Sequence, residues 1–373
     1  MYSINSSKLF TERVDKDMKL LVSKILVQFE GVKSIFLAGG FGRGEGSVLN
    51  DGDRFQPIND YDIVVIGNRW IKSSNKDLFR KELASLCKIR QVDIVLIHPN
   101  KLSSLKHSMF NYDLKYASKL IYGSANVLNK IPAWDSANMP LKEAIAPLFL
   151  FLSSILQAYP GRTDLNSKDI FWSFQQLSKS ILGWSSAMLI FEGLYHPSYI
   201  QRNKIFQDKF LDEIDLCRLV EIATNFKIHP QMNICNQDEL SDFWLEASTI
   251  HMEILKKLLI RYYKINNFSW DKLAFSHRLS FINIAKTIYS ILFNNPHHIN
   301  CMNTDLAKLY LCIGLNEGEI KYIEKSKYYY KKLIVENKKP SSNLSNEQYL
   351  DLLMKVDINA QIFYANDSKV FYE

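Results

Sequence analysis

The sequence predicts an α+β protein, a small mixed-sheet domain over residues 1–135 followed by a larger all-helical domain over 136–373. Three observations carry this. Apolar residues recur at helical spacing near the N-terminus. Three short β-rich runs then follow within the first hundred residues, and from Leu141 onward strand patterns nearly vanish. A chain of 373 residues is long enough for two domains. With 47% hydrophobic and 23% charged residues it has the apolar content to offset chain entropy, which excludes disorder as the dominant state.

Leu9, Phe10, Val14, Met18, Leu21, Val22, Ile25 and Phe29 fall on one helical face, which predicts an amphipathic helix over 8–30. The β-rich runs are 34–38, 61–66 and 92–97, with a helix over 76–87 separating the last two and a further edge strand at 119–122. Helices are then expected over 141–158, 167–193, 198–207, 210–226, 239–263, 276–293, 303–313, 317–335 and 345–363. Pro160-Gly161, His196-Pro197, His229-Pro230, 294–296 and 338–343 mark loops between them.

Composition narrows the function classes. The net charge of +7 favours anionic partners such as nucleotides without establishing nucleic-acid binding. Five scattered cysteines with no CxxC pair argue against a disulfide framework and a thiolate zinc site, and fit a reducing cytoplasm. The N-terminal stretch is polar where a signal peptide is apolar. The most apolar run, 144–159, contains Pro147 and is shorter than the ~20 residues of a bilayer span. A cytoplasmic protein with no membrane partner is therefore expected. No H-x-x-x-H spacing supports zinc, and His297-His298 reads as a solvated pair in a polar loop.

Chemistry concentrates in 34–67, SIFLAGGFGRGEGSVLNDGDRFQPINDYDIVVIG. A strand runs into Gly39-Gly40, with a short helix expected from Phe41. Glycines at such a junction let backbone N–H groups approach a phosphate. Asp60 and Asp62 open the strand that continues as Ile63 to Ile66. Acids separated by one strand residue share a face, and their repulsion is relieved by a hard divalent cation, Mg2+ or Mn2+. Asp93 stands in another hydrophobic strand. If the two strands are neighbours, three carboxylates converge, as two-ion phosphoryl transfer requires, and Asp93 helps position and deprotonate the attacking hydroxyl.

In these residues the chain resembles the polymerase-beta-like nucleotidyltransferase superfamily. Gly39, Gly40, Asp60, Asp62 and Asp93 match its Gly-Gly, Asp-x-Asp and later strand Asp in order, and Gly40 to Glu45 is similar to the Arg-Gly-Glu pattern of its minimal members. The resemblance covers about residues 30–100. It implies an enzyme that moves a nucleoside monophosphate from a nucleoside triphosphate, ATP favoured, to an acceptor hydroxyl with release of pyrophosphate. Two ions would be held by Asp60, Asp62 and Asp93. Gly39, Gly40, Arg43 and Ser47 would contact the nucleotide; Arg43 has the alternative of a local pair with Glu45, itself read as structural.

The chain departs from the family in two places. Nineteen residues separate Gly40 from Asp60, more than is usual, and a decoy Asp51-Gly52-Asp53 stands only ten residues after Gly40. The decoy is rejected because Arg54 to Pro57 cannot continue as a buried central strand, so 49–58 is expected as an inserted loop. Gly40 also stands where many relatives have serine.

For the acceptor, Tyr199, Arg202 and Lys204, beside Tyr195, form a cationic and aromatic cluster that contacts either a base or an acceptor phosphate, or only staples two helices. It favours, slightly, a nucleotide or oligonucleotide acceptor as in signalling or defence enzymes. A small metabolite or glycan, and a protein hydroxyl as in toxin–antitoxin relatives, are the alternatives, with a catalytically inactive nucleotide-binding module as the other class. The lysine- and tyrosine-rich 321–339 reads as a solvated helical face.

Overall fold

Ser7 opens the first helix: its hydroxyl accepts from the Phe10 amide at 3.1 Å in the computed structural model, and α1 runs Lys8–Gln28. The structure describes residues 1–4, 7–51, 54–58, 60–70, 76–160, 165–278, 297–317 and 320–330. Phe10, Val14, Met18, Leu21 and Ile25 are the buried stripe of α1, at the spacing the sequence predicts.

That stripe packs on a four-stranded mixed sheet of order β7-β5-β2-β8. Its strands are β2 (Ser34–Leu37), β5 (Tyr61–Ile66), β7 (Val92–Ile97) and the edge strand β8 (Lys119–Gly123). β5 runs antiparallel to β2 and parallel to β7, and β2 pairs antiparallel with β8. The parallel pair needs a crossover, and the helix α3 (Lys76–Cys87) lies within it. β1 (Phe29–Glu30) and β6 (Arg69–Trp70) form a small antiparallel pair beside the sheet.

Strand alternation divides the core in two. Ile35, Leu37, Tyr61, Ile63, Val65, Val92 and Ile94 face α1 and Leu83, Ala84 and Cys87 of α3. Phe36, Val64, Ile66 and Ile97 face the other way, onto Leu102, Leu105, Leu114 and Ile131. Each such side chain taken fully out of water contributes about 1.5–3 kcal/mol, enough to hold even a short sheet. Tyr61 is fully buried and its hydroxyl donates to Asp17 at 2.8 Å, which ties α1 to the strand that carries Asp62.

The residues expected as an inserted loop form a hairpin instead, β3 (Val48–Asp51) with β4 (Arg54–Pro57), in a two-stranded sheet of its own. The decoy segment is thus outside the central sheet, whereas Asp62 lies on one of its two inner strands; Asp53 falls outside the described residues. The helix α4 (Met109–Ala117) and 3-10 turns at 99–104, 125–130 and 136–138 were not predicted.

Contacts group the chain into two compact units, and here the expected boundary needs correction. The first unit is Met1–Pro140 together with Glu192–Met232, and the second is Leu141–Phe191 with the described residues from Asn233 on. The helices α7 (Tyr199–Lys209) and α8 (Ile214–Ile228) therefore belong with the sheet and not with the helical unit. A single break at 135/136 misses this because helical periodicity reports which face is buried, not against what.

The second unit consists of α5 (Lys142–Gln157), α6 (Ser167–Phe191), α9 (Gln237–Tyr263), α10 (Trp270–Arg278), α11 (His297–Glu317) and α12 (Ile320–Tyr330) among the described residues. Gly183 admits the Phe151 ring, which would lie 2.1 Å from a Cβ there. Two large buried polar groups are paired: Trp244 donates to the Ile155 carbonyl at 2.9 Å, and His251 bridges Ser180 and the Leu148 carbonyl. Burial pushes the His251 pKa down to about 4, so the imidazole is neutral at pH 7. His297 and His298 open α11 and do not sit in a loop. Of the helix expected over 276–293, residues 279–293 lie outside the described residues, as does the whole of the one expected over 345–363. No helix among the described residues is long and apolar enough to cross a membrane.

Candidate functional site

Every feature of the site below lies in the first unit. β2 ends at Leu37, and the Ala38 amide donates to the Asp62 carbonyl at 2.7 Å, which joins the glycine turn to the carboxylate strand. The next helix, α2, is a single turn, Gly39–Gly42, and starts two residues before the expected Phe41. Gly39 sits at φ +61°, and a Cβ there would lie 1.8 Å from Asp62 Oδ2. Only glycine meets both demands, the left-handed backbone and the contact with a carboxylate. Phe41 anchors the turn in the core, 5.1 Å edge-on from the Tyr61 ring, while the Glu45 amide closes the loop onto the Gly40 carbonyl at 2.8 Å.

Asp62 and Asp93 are direct register partners on the parallel strands β5 and β7. Both are half-buried, as is Asp60 just before β5. Burial, then the charge of Asp93, then that of Asp60 push the Asp62 pKa up to about 7, against the pull of Arg43 and Lys227. The sequence expectation of neighbouring acid-bearing strands is met. Convergence is less complete: among the described residues no group of three or more His, Cys, Asp or Glu is gathered closely enough to hold a metal ion. The Gln91 amide donates to both oxygens of Asp93, at 2.8 and 2.9 Å. The donor set still suits a hard divalent cation, being carboxylate oxygen on two adjacent strands with one member resisting ionisation beside the others.

A cationic cluster accompanies the acids. Arg43, whose side chain is 8% exposed, donates from Nη1 to Asp113 Oδ2 at 3.1 Å, and its Nε lies 3.8 Å from Glu45 Oε2. That Nε is buried and makes no hydrogen bond. The phosphate reading and the Glu45 reading of Arg43 are thus not exclusive. The guanidinium carbon lies 5.1 Å from the centre of the Tyr199 ring, which is also 4.3 Å from Arg202 and 5.4 Å from Lys227. Burial opposes ionisation of the Tyr199 phenol, but Lys227, Arg43 and Arg202 together outweigh it and bring the pKa down to about 8. Lys227 is itself held below the ordinary lysine range, first by burial and then by Arg43, while Tyr199, Asp62 and Asp60 favour its charge. The ammonium therefore stands in electrostatic reach of both the tyrosine and the acid pair.

Glu45 explains how α7 reaches this place. Its carboxylate accepts from Ser198 Oγ at 2.5 Å, from the Tyr199 amide at 2.8 Å and from the Ile200 amide at 3.3 Å, at the start of α7. An acid at a helix start satisfies amides that have no intrahelical partner, so the glycine loop and α7 are fastened together. This agrees with the structural reading of Glu45.

Two sequence assignments change. Ser47 is buried and its hydroxyl donates to the Lys227 carbonyl at 2.5 Å, so it secures the end of α8 where a phosphate contact was expected. Lys204 is exposed, because a two-residue step along α7 turns it about 200° from Arg202. Arg202 and Tyr199 do join the cluster, and Tyr195 is buried beneath Arg202.

Asp113 and Lys227 were missed. Lys227 had a signal: it follows buried Val220 and Ala223 by seven and four residues, a charge on an apolar helical stripe. Asp113 had only Ser108, the cap of the unforeseen α4, to announce it. Comparison with family models and with curated proteins returns no match for the chain.

Proposed function

We propose that the chain is a metal-dependent nucleotidyltransferase, moving a nucleoside monophosphate from a nucleoside triphosphate, ATP by preference, to an acceptor hydroxyl and releasing pyrophosphate. The observation that carries this reading is the register pairing of Asp62 with Asp93 beside the Gly39 turn, with Lys227 in reach of the acids. Carboxylates pressed together next to buried cations suit a ligand that is both polyanionic and metal-bound, which is what a nucleoside triphosphate is.

In this reading Arg43 and Lys227 take the phosphates, and the buried Nε of Arg43, which makes no hydrogen bond, is one donor that such a ligand satisfies. Gly39 and Gly40 let the chain approach the phosphates closely. Asp60 and Asp62 would hold two Mg2+ or Mn2+ ions and Asp93 one of them. When bound, such ions lower the pKa of an attacking hydroxyl and offset charge on the leaving group. Asp93 orients that hydroxyl and accepts its proton. Arg202 and the tyrosines beside it give the site a second anion-binding and stacking surface, so a nucleotide or oligonucleotide acceptor is preferred over a neutral metabolite or a protein hydroxyl.

The test is incubation of the purified chain with each labelled triphosphate and Mg2+, with and without cell extract, followed by mass analysis of labelled products. Pyrophosphate release with a nucleotidylated product supports the reading; its absence with every triphosphate and acceptor sinks it. A second reading, a nucleotide-binding module without turnover, is favoured by one observation, the lack of a gathered three-ligand group among the described residues. It predicts triphosphate binding with no product.

Activity should also separate the acid pair from its decoy. Asp51→Ala combined with Asp53→Ala is expected to cost less than about tenfold in kcat/KM, because Asp51 ends a hairpin strand outside the central sheet. Asp60→Ala alone is expected to cost on the order of a hundredfold or more. The reverse order in steady-state assays would refute the choice of pair.

A further inference from the structure

We propose that Asp113 is a positioning residue, one half-buried carboxylate that aims Arg43 directly and Arg202 through Tyr195 so that both guanidinium groups face one polyanion. The proposal rests on the nucleotide-binding reading above and adds to it a residue that touches neither phosphate nor base.

The geometry divides the work of the carboxylate between its two oxygens. Oδ2 accepts from Arg43 Nη1 at 3.1 Å and Oδ1 accepts from the Tyr195 hydroxyl at 3.0 Å. The Tyr195 ring in turn carries the Arg202 guanidinium at 5.6 Å, and Arg43 and Arg202 both pack on the Tyr199 ring, at 5.1 and 4.3 Å from its centre. One acid therefore fixes a cation from the glycine loop and a tyrosine from just before α7, two segments some 150 residues apart in sequence.

The platform under Asp113 is rigid. Ser108 caps α4, the buried Asn111 donates to the Lys106 carbonyl at 2.8 Å, and Lys115 donates to the Leu128 and Ile131 carbonyls at 3.2 and 2.6 Å. A carboxylate on a locked helix sets the direction of a guanidinium better than one on a loop, because less side-chain freedom is lost when the ligand arrives.

Arg43 is hydrogen-bonded to a carboxylate at one end, and at its other end Nε faces Glu45 Oε2 at the longer distance of 3.8 Å. Nη1 is bonded to Asp113 while Nε is buried without a hydrogen bond. A group serving only to neutralise a buried arginine would be expected to pair with the fork at both nitrogens. Here Nη1 is used to aim, and Nε, which makes no hydrogen bond, keeps a donor that a ligand can satisfy. Burying the acid has a cost, since desolvation pushes its pKa up despite Arg43 and Arg202.

The experiment measures ATP affinity by calorimetry with Mg2+ on the full chain, for wild type, Asp113→Asn, Arg43→Ala and the double variant, with thermal melts alongside. Asparagine keeps an acceptor for Tyr195 and removes the charge that holds Arg43. Asp113→Asn is expected to weaken ATP about tenfold, Arg43→Ala at least as much, and the double variant no more than Arg43→Ala alone. In a turnover assay the loss should appear in KM while kcat stays within about twofold. Additive losses, or an unchanged affinity in Asp113→Asn accompanied only by a lower melting temperature, would overturn the proposal and leave Asp113 structural. If Asp113→Asn does not fold, Tyr195→Phe removes a single hydroxyl and is expected to weaken ATP about threefold; unchanged binding there overturns the proposal too. Failure of the wild type to bind any triphosphate would instead defeat the nucleotide reading itself.

Discussion

Asp62→Asn is expected to abolish nucleotidyl transfer and, in metal-free buffer at pH 8, to raise the melting temperature of the protein. The two effects share one cause. Burial and the neighbouring Asp93 and Asp60 push the Asp62 pKa up to about 7 from its ordinary 3.8. A folded state that holds its proton more tightly than the unfolded state loses stability as pH rises between these two values, and above pH 7 the whole penalty is present. Asparagine keeps the shape and removes the charge. At pH 8 the gain should be roughly 1–4 kcal/mol, and at pH 5 clearly smaller, because there the wild-type carboxyl is mostly protonated in the fold. Melts at the two pH values in EDTA check this, and an equal shift at both would refute the electrostatic origin. Added Mg2+ should then raise the melting temperature of the wild type at pH 8 and not that of the variant, since only a ligand that binds the folded state stabilises it.

The same residue marks how much the sequence carried. Asp62 was legible because a charge inside Tyr61 to Ile66 breaks a pattern that otherwise demands burial, whereas its register with Asp93 is set by how the two neighbouring strands pair, which the sequence pattern does not fix. The stripe of α1 was legible for the same reason: five buried residues at three- and four-residue steps have one physical interpretation. Local patterns could not give the partners. Glu45 fastens α7 from 150 residues away, and Lys227 faces Tyr199 and the acids only because α8 packs in the sheet-bearing unit. Ser47 illustrates the opposite error. Its hydroxyl sits next to the glycine loop in sequence, and a phosphate role followed from that proximity alone, yet the fold turns it toward a helix end. Arg202 and Lys204 read as one cationic cluster in the sequence, and helical geometry separates them.

Gly39→Ala should damage the site severely, and Gly40→Ser, one residue on, should be among the mildest changes near it. Alanine at φ +61° costs about 1–2 kcal/mol before any contact is counted. The added carbon would then stand 1.8 Å from Asp62 Oδ2, a separation no atoms sustain, so one group must move. The backbones cannot part easily, because the Ala38 amide is bonded to the Asp62 carbonyl at 2.7 Å and Phe41 pins the turn in the core. The carboxylate is the softer partner and should swing aside. A displacement near 1 Å at a reacting centre costs on the order of a hundredfold in rate, so kcat should fall by about that factor while the protein stays folded. Gly40 has no positive φ, and the nearest atom to a Cβ there is the Glu45 carbonyl oxygen at 3.2 Å, a contact relieved by a small shift. Serine at 40 should therefore keep activity within about tenfold of wild type. Circular dichroism separates rate loss from unfolding in both variants. A Gly39→Ala protein as active as the wild type would mean that Asp62 does not work from the position described, and the assignment of the site would have to be abandoned.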